Sequence, residues 1–343
     1  MSELLFGKER KCIVVAEISA NHGQDYARAV KLIRMARECG VDAVKTQAYK
    51  PETITLDVNN KYFKVKHPKW GGQTLYQLYK KAYTPWNWFK RLKKVADDIG
   101  LLFFATAFDK SAVDFLEELR VSVHKIASFE LVDLGLIEYV SRTKKPIIMS
   151  TGMATLYEIK DAINAARRGG ARGITLLKCV SSYPARAEEM NLKTIPDMAK
   201  RFNCEVGISD HSLGTGASIA AVALGAKMIE KHITLSRKLK TPDDFFSIEP
   251  QELKELVDNV RITEKAVGEA HYGFTRDEKK NRIFRRSLFC IRDIEKGEVL
   301  SEENIASVRP AYGIEPKYLK RVIGHKAKVK IKRGSPLRWK KIG

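Results

Sequence analysis

Over the first three quarters of the chain, short apolar runs alternate with longer segments of helical period. The runs are Cys12 to Ile18, Val41 to Gln47, Leu101 to Thr106, Ser122 to Ala127, Pro146 to Thr151, Ile174 to Cys179, Glu205 to Ser209 and Ala226 to His232. Rich in β-branched residues, each reads as a buried strand. Between them, Asp25 to Cys39, Pro85 to Ile99, Leu156 to Arg168 and Leu192 to Phe202 repeat apolar residues at helical spacing. Eight strand-helix units predict an α/β fold, a (β/α)8 TIM barrel, because near-continuous apolar strands suit a parallel sheet covered on both faces. A doubly wound open sheet is the alternative, but no G-x-G-x-x-G turn follows the first run.

Two stretches break the alternation. Pro51 to Tyr83 is too long for a simple strand-to-helix loop; with Trp70-Gly71-Gly72 and a tyrosine-rich amphipathic stretch, it is expected to cover the active site from the second connection. Gly268 to Arg286 is charged and punctuated by glycine. After it, runs at Ser287 to Ile291 and Ala327 to Ile331, with turns at Lys296-Gly297 and Arg333-Gly334, predict a small β-rich module with little core of its own. The expected organisation is a barrel domain over 1–268, a linker over 269–286 and the module over 287–343.

Composition narrows the class. An apolar share of 44% is enough for a globular core. No run approaches the roughly 20 apolar residues that span a bilayer, and the start, MSELLFGKERKC, lacks an apolar stretch of signal-peptide length. Five scattered cysteines (Cys12, Cys39, Cys179, Cys204, Cys290) without C-x-x-C point to reduced thiols. A cytoplasmic protein with no membrane partner is expected.

The net charge of +21 is uneven, with twenty Lys and Arg against eight Asp and Glu from Arg276 to Gly343. Such a tail invites a different reading, a non-catalytic protein that binds nucleic acid. Against it, the run HKAKVKIKR (His325 to Arg333) alternates lysine with Ala327, Val329 and Ile331, the period of a strand with one solvated face. No aromatic stacking series accompanies the charge. No nucleic-acid partner is expected, and an anionic small substrate accounts for part of the excess.

Polar residues collect at the carboxyl ends of nearly all eight runs, where barrel enzymes place their chemistry. In chain order these are Glu17, Asn21 and His22; Lys45 and Gln47; Thr106; Lys125, Ser128 and Glu130; Ser150, Thr151 and Gly152; Lys178, Ser181, Ser182 and Tyr183; Ser209, Asp210 and His211; and His232. His211 and His232 end consecutive strands. They can hold one divalent metal with positions open for substrate, or pack as ordinary buried histidines. Lys45 and Lys125 lie inside apolar strands, where lysine needs a partner. That partner can be Glu17 or Glu130, or an anion cradled with Ser128, Ser150, Thr151, Gly152 and Ser209; alternatively a lysine forms a Schiff base.

Eight runs taken in order resemble the sialic acid synthase family: AEISANH (Ala16 to His22), DAVKTQAYKPETITLD (Asp42 to Asp57), HKIASFE (His124 to Glu130), STGMATL (Ser150 to Leu156), SSYPA (Ser181 to Ala185), ISDHSLG (Ile208 to Gly214), IEKHITL (Ile229 to Leu235) and SVRPAYGI (Ser307 to Ile314). The similarity spans nearly the whole chain, and the C-terminal module resembles the antifreeze-like (SAF) domain of those enzymes. Within the family, AEISANH, YKPET, the W-x-G-x-T-L-Y-x-L-Y pattern from Trp70 and Thr84-Pro85-Trp86 are most similar to pseudaminate-type members, with legionaminate- and N-acetylneuraminate-type members as alternatives.

The resemblance implies condensation of phosphoenolpyruvate with an open-chain N-acetylated amino sugar. It matches His211 and His232 to ligands of manganese or magnesium, and Lys45, Lys125, Ser128, Ser150, Tyr183 and Ser209 to phosphoenolpyruvate contacts. Glu17, Gln47, Thr106 and Asp243 match the sugar and metal-water region, and Glu130 a carboxylate near the reacting carbons. Arg309 matches an arginine lent to the other subunit of a domain-swapped homodimer. Three positions depart from the family pattern. Ala105-Thr106-Ala107-Phe108 replaces a Ser-Thr-Pro-Phe run, Lys240-Thr241-Pro242-Asp243 lacks a glycine before the proline, and Ser181 stands where neuraminate-type enzymes often carry asparagine.

Overall fold

The structure, a computed structural model, describes residues 11–343. The N-terminal run read for a signal peptide, Met1 to Arg10, lies outside the described residues. The chain divides after Gly268 into two compact units.

The first unit is the expected closed barrel. Its strands are β1 (Ile13–Glu17), β2 (Ala43–Ala48), β3 (Leu102–Ala107), β4 (His124–Ile126), β5 (Ile147–Ser150), β6 (Ile174–Cys179), β7 (Glu205–Asp210) and β8 (Met228–His232). They pair in sequence order, all parallel, and β1 closes on β8 with Glu17 opposite His232. The helices are α1 (Tyr26–Glu38), α2 (Leu75–Ala82), α3 (Trp86–Asp98), α4 (Lys110–Glu118), α5 (Leu134–Ser141), α6 (Leu156–Gly169), α7 (Thr194–Phe202), α8 (Gly216–Ala223) and α9 (Pro250–Val267). Local chemistry sets their ends. Thr155 and Glu158 form a capping box at the start of α6, and Gly170, at φ 90°, ends it.

Side chains alternate across each strand, so every second residue enters the barrel. At the amino-terminal side these residues are Ile13, Val15, Ala43, Leu102, Phe104, Val123, Ile148, Leu177 and Met228, an apolar floor. The floor continues at Gly207, where an added Cβ would sit 2.3 Å from Met228 O and 2.8 Å from Leu177 Cδ2. The opposite face of each strand packs under the helices in a larger core.

The insertion after β2 begins with a helical turn, Pro51–Ile54, and ends in α2, whose capping box pairs Thr74 with Gln77. Trp70 Nε1 donates to Pro242 O at 2.6 Å, and the ring lies 5.6 Å from that of Tyr183. The insertion therefore reaches across the carboxyl end of the barrel to the loop after β8. Among the described residues, no helix is long and apolar enough to cross a membrane, and no disulfide joins the cysteines.

The second unit corrects two expectations. Its two-stranded antiparallel sheet is β9 (Ser287–Cys290) with β10 (Ile305–Val308), and the run Ala327 to Ile331 makes only single bridges, to Ile342 and Ile294. Within that run Ala327 and Ile331 are buried while Val329 is 47% exposed, so its buried positions recur every four residues rather than every two. The unit also has a core of its own, eleven buried apolar side chains that include Leu288, Ile305, Ile331 and Leu337.

Phe104 is fully buried in the barrel floor. Phe104→Ala is expected to destabilise the barrel by about 3–5 kcal/mol, read as a lowered denaturant midpoint of the helical circular dichroism signal.

Candidate active site

The strand alternation that builds the floor continues upward and changes chemistry. Directly above it point Glu17, Lys45, Thr106, Lys125, Ser150, Cys179, Ser209 and Glu230, all buried. Lys45 Nζ pairs with Glu17, donates to Thr106 Oγ1 at 2.8 Å and lies 3.5 Å from Glu230 Oε1. Lys125 Nζ donates to Ser150 Oγ at 2.7 Å and to Ile126 O at 2.8 Å, and lies 4.0 Å from Glu230 Oε2. Ser209 Oγ donates to Glu230 Oε1 at 3.4 Å. Two ammonium and two carboxylate groups thus share one buried cluster.

The charges respond to burial and to one another. Burial opposes the charge of Lys45, but Glu17 and Glu230 outweigh it and hold its pKa above the ordinary lysine range. Lys125 has weaker compensation, so burial and the neighbouring Lys45 charge hold it below that range. Glu230 is lowered: burial works against its ionisation, but Lys125 and Lys45 prevail. Burial raises Glu17 to about 7, Lys45 pulls it down and the like charge of Glu230 adds to the rise.

Glu130 lies beside this cluster on the turn Ser128–Glu130 after β4. Burial raises its carboxyl to about 7, partly offset by Lys125. Its Oε2 is buried with no hydrogen-bond partner among the described residues. Next to it the loops after β4, β5 and β6 come very close. Gly152 N donates to Ser128 Oγ at 3.1 Å, and a Cβ on Gly152 would meet Ser181 Oγ at 2.1 Å. Only glycine fits there, which lets the hydroxyls of Ser128 and Ser181 come together near Lys125 and Ser150, an arrangement suited to an anion.

On the far side, His211 Nδ1 donates to Val180 O at 2.9 Å, which directs the lone pair of Nε2 outward. The His232 ring lies 5.4 Å away, centroid to centroid, with Nδ1 buried and without a hydrogen-bond partner among the described residues. Burial, then the charges of His211, Lys45, Lys231 and Lys125, push the His232 pKa well down and keep it neutral. An orphaned neutral imidazole beside a second one, oriented by a carbonyl, fits a divalent metal. Asp243 Oδ2 lies 3.8 Å from His232 Nδ1 and accepts from Ser19 Oγ at 2.6 Å, while Gln47 Nε2 donates to Ser19 Oγ at 3.0 Å. Among the described residues, no group of three or more His, Cys, Asp and Glu side chains converges as a metal site. The two imidazoles would leave the remaining positions to water or substrate. Tyr183 lies 4.4 Å from His211, and Phe246 lies 4.8 Å from His232, forming an aromatic wall under Trp70.

Several rim residues singled out in the sequence lie elsewhere. Asn21 ties loops, donating to Ile233 O and Ser247 Oγ, both at 2.8 Å. His22 Nε2 is bonded to Thr84 Oγ1 at 3.1 Å. Thr151 Oγ1 donates to Leu177 O at 3.1 Å. Lys178 and Asp210 have the opposite strand parity and point away from the mouth, and Ser182 is exposed beyond β6. Arg309 is exposed in the second unit just after β10. Three residues of the site were not anticipated: Glu230, Cys179 and Ser19. The first two share the parity of His232 and Leu177, a signal present in the runs MIEKH and LLKC.

The profile of the NeuB family matches residues 32–272, and that of the SAF domain residues 285–343. Over 333 residues, 97% of either chain, the sequence is 40% identical to the pseudaminic acid synthase of Campylobacter jejuni. It is 42% identical to the pseudaminic acid synthase of Helicobacter pylori over 325 residues, 94% of this chain and 96% of the relative. Among solved structures, the spore coat polysaccharide biosynthesis protein SpsE of Bacillus subtilis superposes with a TM-score of 0.66 at 33% identity, covering 98% of this chain and 96% of that one.

Removing one member of the charged cluster strands the others. Lys45→Met is expected to cost about 3–5 kcal/mol of stability, because it leaves Glu17 and Glu230 buried without their nearest cation. The double variant Lys45→Met/Glu17→Gln should recover part of that loss in denaturant titrations; no recovery would show that the carboxylate does not carry the penalty.

Proposed function

The chain belongs to the NeuB family, and on that footing we propose that it condenses phosphoenolpyruvate with an open-chain acetamido sugar, releasing phosphate and a nine-carbon 2-keto sugar acid, pseudaminic acid. The observation that carries the chemistry is the lysine pair Lys45 and Lys125, buried at a barrel mouth that also presents the adjacent imidazoles of His211 and His232 and a Glu130 Oε2 that is buried without a hydrogen-bond partner among the described residues. The choice of sugar acid draws on 40–42% identity to pseudaminic acid synthases over nearly the full length.

Phosphoenolpyruvate carries carboxylate and phosphate groups. Lys45 and Lys125 bind them, aided by Ser128, Ser150, Ser209 and Tyr183. A manganese or magnesium ion held by His211 and His232 would polarise the sugar aldehyde when bound. The C3 carbon of phosphoenolpyruvate bonds to the aldehyde carbon, whose C=O π pair moves onto the aldehyde oxygen, and C2 becomes electron-deficient. Water adds to C2 and passes one proton to Glu130, which the former aldehyde oxygen takes up; the C2–O bond to phosphate then breaks as the new C2 hydroxyl becomes the keto group and gives its proton to the departing phosphate, held by the lysines. Glu130 takes this role because Glu17 is engaged by Lys45 and by Ser19 N at 2.6 Å. Gln47, Thr106 and Asp243 orient the sugar. Arg309 closes the sugar pocket of the other subunit in a domain-swapped homodimer, and the use of phosphoenolpyruvate as substrate supports a cytoplasmic location.

The direct test is phosphate release from phosphoenolpyruvate with a panel of altrose-, mannose- and legionamine-type acetamido sugars, with products identified by mass spectrometry. Fastest turnover with the altrose-type sugar is expected; preference for a legionamine- or mannose-type sugar would reassign the product. Because Glu130 acts in its ionised form and burial raises it to about 7, kcat should fall as pH drops through that value. Glu130→Gln should remove this acid limb and lower kcat by roughly 10²–10⁴. Arg309→Ala should raise KM for the sugar far more than for phosphoenolpyruvate; an equal rise in both would count against its place at the sugar.

A further inference from the structure

A second ion pair, which the proposed reaction does not use, lies on the outer face of the barrel wall behind the two histidines. Asp210 and Lys231 are register partners on β7 and β8. Alternation turns them away from the mouth, while their chain neighbours His211 and His232 face it. Both are buried, and Lys231 Nζ donates to Asp210 Oδ2 at 2.8 Å.

The pair is fully satisfied. Asp210 Oδ1 accepts from Ser212 N at 2.8 Å and from Ser212 Oγ at 2.6 Å, and Oδ2 also accepts from Ser218 Oγ of α8 at 2.6 Å. Lys231 Nζ reaches Ser212 O at 2.6 Å. Residues 210 and 212, which flank His211, are thus tied to residue 231, which precedes His232. A buried ion pair adds little stability over a well-packed apolar pair. Unlike an apolar pair, this one fixes direction, because five hydrogen bonds define where the chain leaves β7.

We propose that Asp210 and Lys231 form a positioning clamp that sets the separation and angle of the His211 and His232 rings, and hence the affinity of that imidazole pair for a divalent ion. The proposal rests on the reading that these histidines hold the metal. The clamp works through the backbone: β7 ends at Asp210, beyond it His211 O accepts from Ala185 N at 3.0 Å and Ser212 bridges Ala185 on the β6 side, and the clamp secures the same segment on the β8 side, so that the 5.4 Å, 68° arrangement of the rings depends on both anchors.

The test uses the full-length protein and Mn2+ alone, with free ion counted by electron paramagnetic resonance and folding followed by circular dichroism. In Asp210→Asn/Lys231→Met, which removes both charges together, the Mn2+ Kd should rise at least about tenfold with the helical signal intact. Ser218→Ala, a milder loss of one hydrogen bond, should raise Kd about threefold. A wild-type Kd in the folded double variant overturns the clamp. Should the double variant not fold, a wild-type Kd in Ser218→Ala does the same. Retention of wild-type Mn2+ binding by His211→Ala overturns instead the ligand reading beneath it, which separates the two failures.

Discussion

The barrel mouth depends on keeping four charged groups out of water. Lys45, Lys125, Glu17 and Glu230 sit directly on an apolar floor, where an unpaired charge would cost several kcal/mol. Their mutual pairing makes the arrangement tolerable and also fixes the direction of each group. It divides labour among the carboxylates as well. Glu17 and Glu230 are engaged with the lysines, whereas Glu130 makes no ion pair among the described residues. A half-buried glutamate without an ion pair, its carboxyl raised to about 7, can exchange a proton near neutrality. The engaged ones shape the field in which it acts.

Strand parity organises the rest. On β7 and β8 the inward positions Ser209, Glu230 and His232 face the chemistry, while the outward positions Asp210 and Lys231 lock the same backbone from behind. A one-residue slip of β8 against β7 would exchange these sets, turning the lysine into the mouth and the imidazole into the helical layer. The register is therefore specified twice, by apolar side chains below and by polar networks on both faces above. The insertion after β2 completes the enclosure through Trp70, whose bond to Pro242 O joins the loops after β2 and β8 over Tyr183 and Phe246. Lysine-rich electrostatics gain strength when water is excluded in this way.

The barrel was legible because buried parallel strands must be apolar throughout, so each run announced itself, and boundaries such as Ile174 to Cys179 coincide with β6. The lysines and histidines stood out because they interrupt such runs. Glu230 did not, because in MIEKH it sits beside Lys231 and reads as an ordinary charged dipeptide. Only parity separates the two, placing Glu230 inward with Met228 and His232, and Lys231 outward with Ile229. The second unit was less legible for the opposite reason. Its backbone turns too often for a two-residue period to develop, so the alternation of Ala327, Val329 and Ile331 suggested a strand that the fold does not build, while Ile305–Val308, with half-buried Ala306 and Ser307, carried too weak a pattern to register. Periodicity reports an element only where one continuous surface covers it. The barrel wall provides that surface for every strand; the second unit buries isolated side chains from many short turns instead.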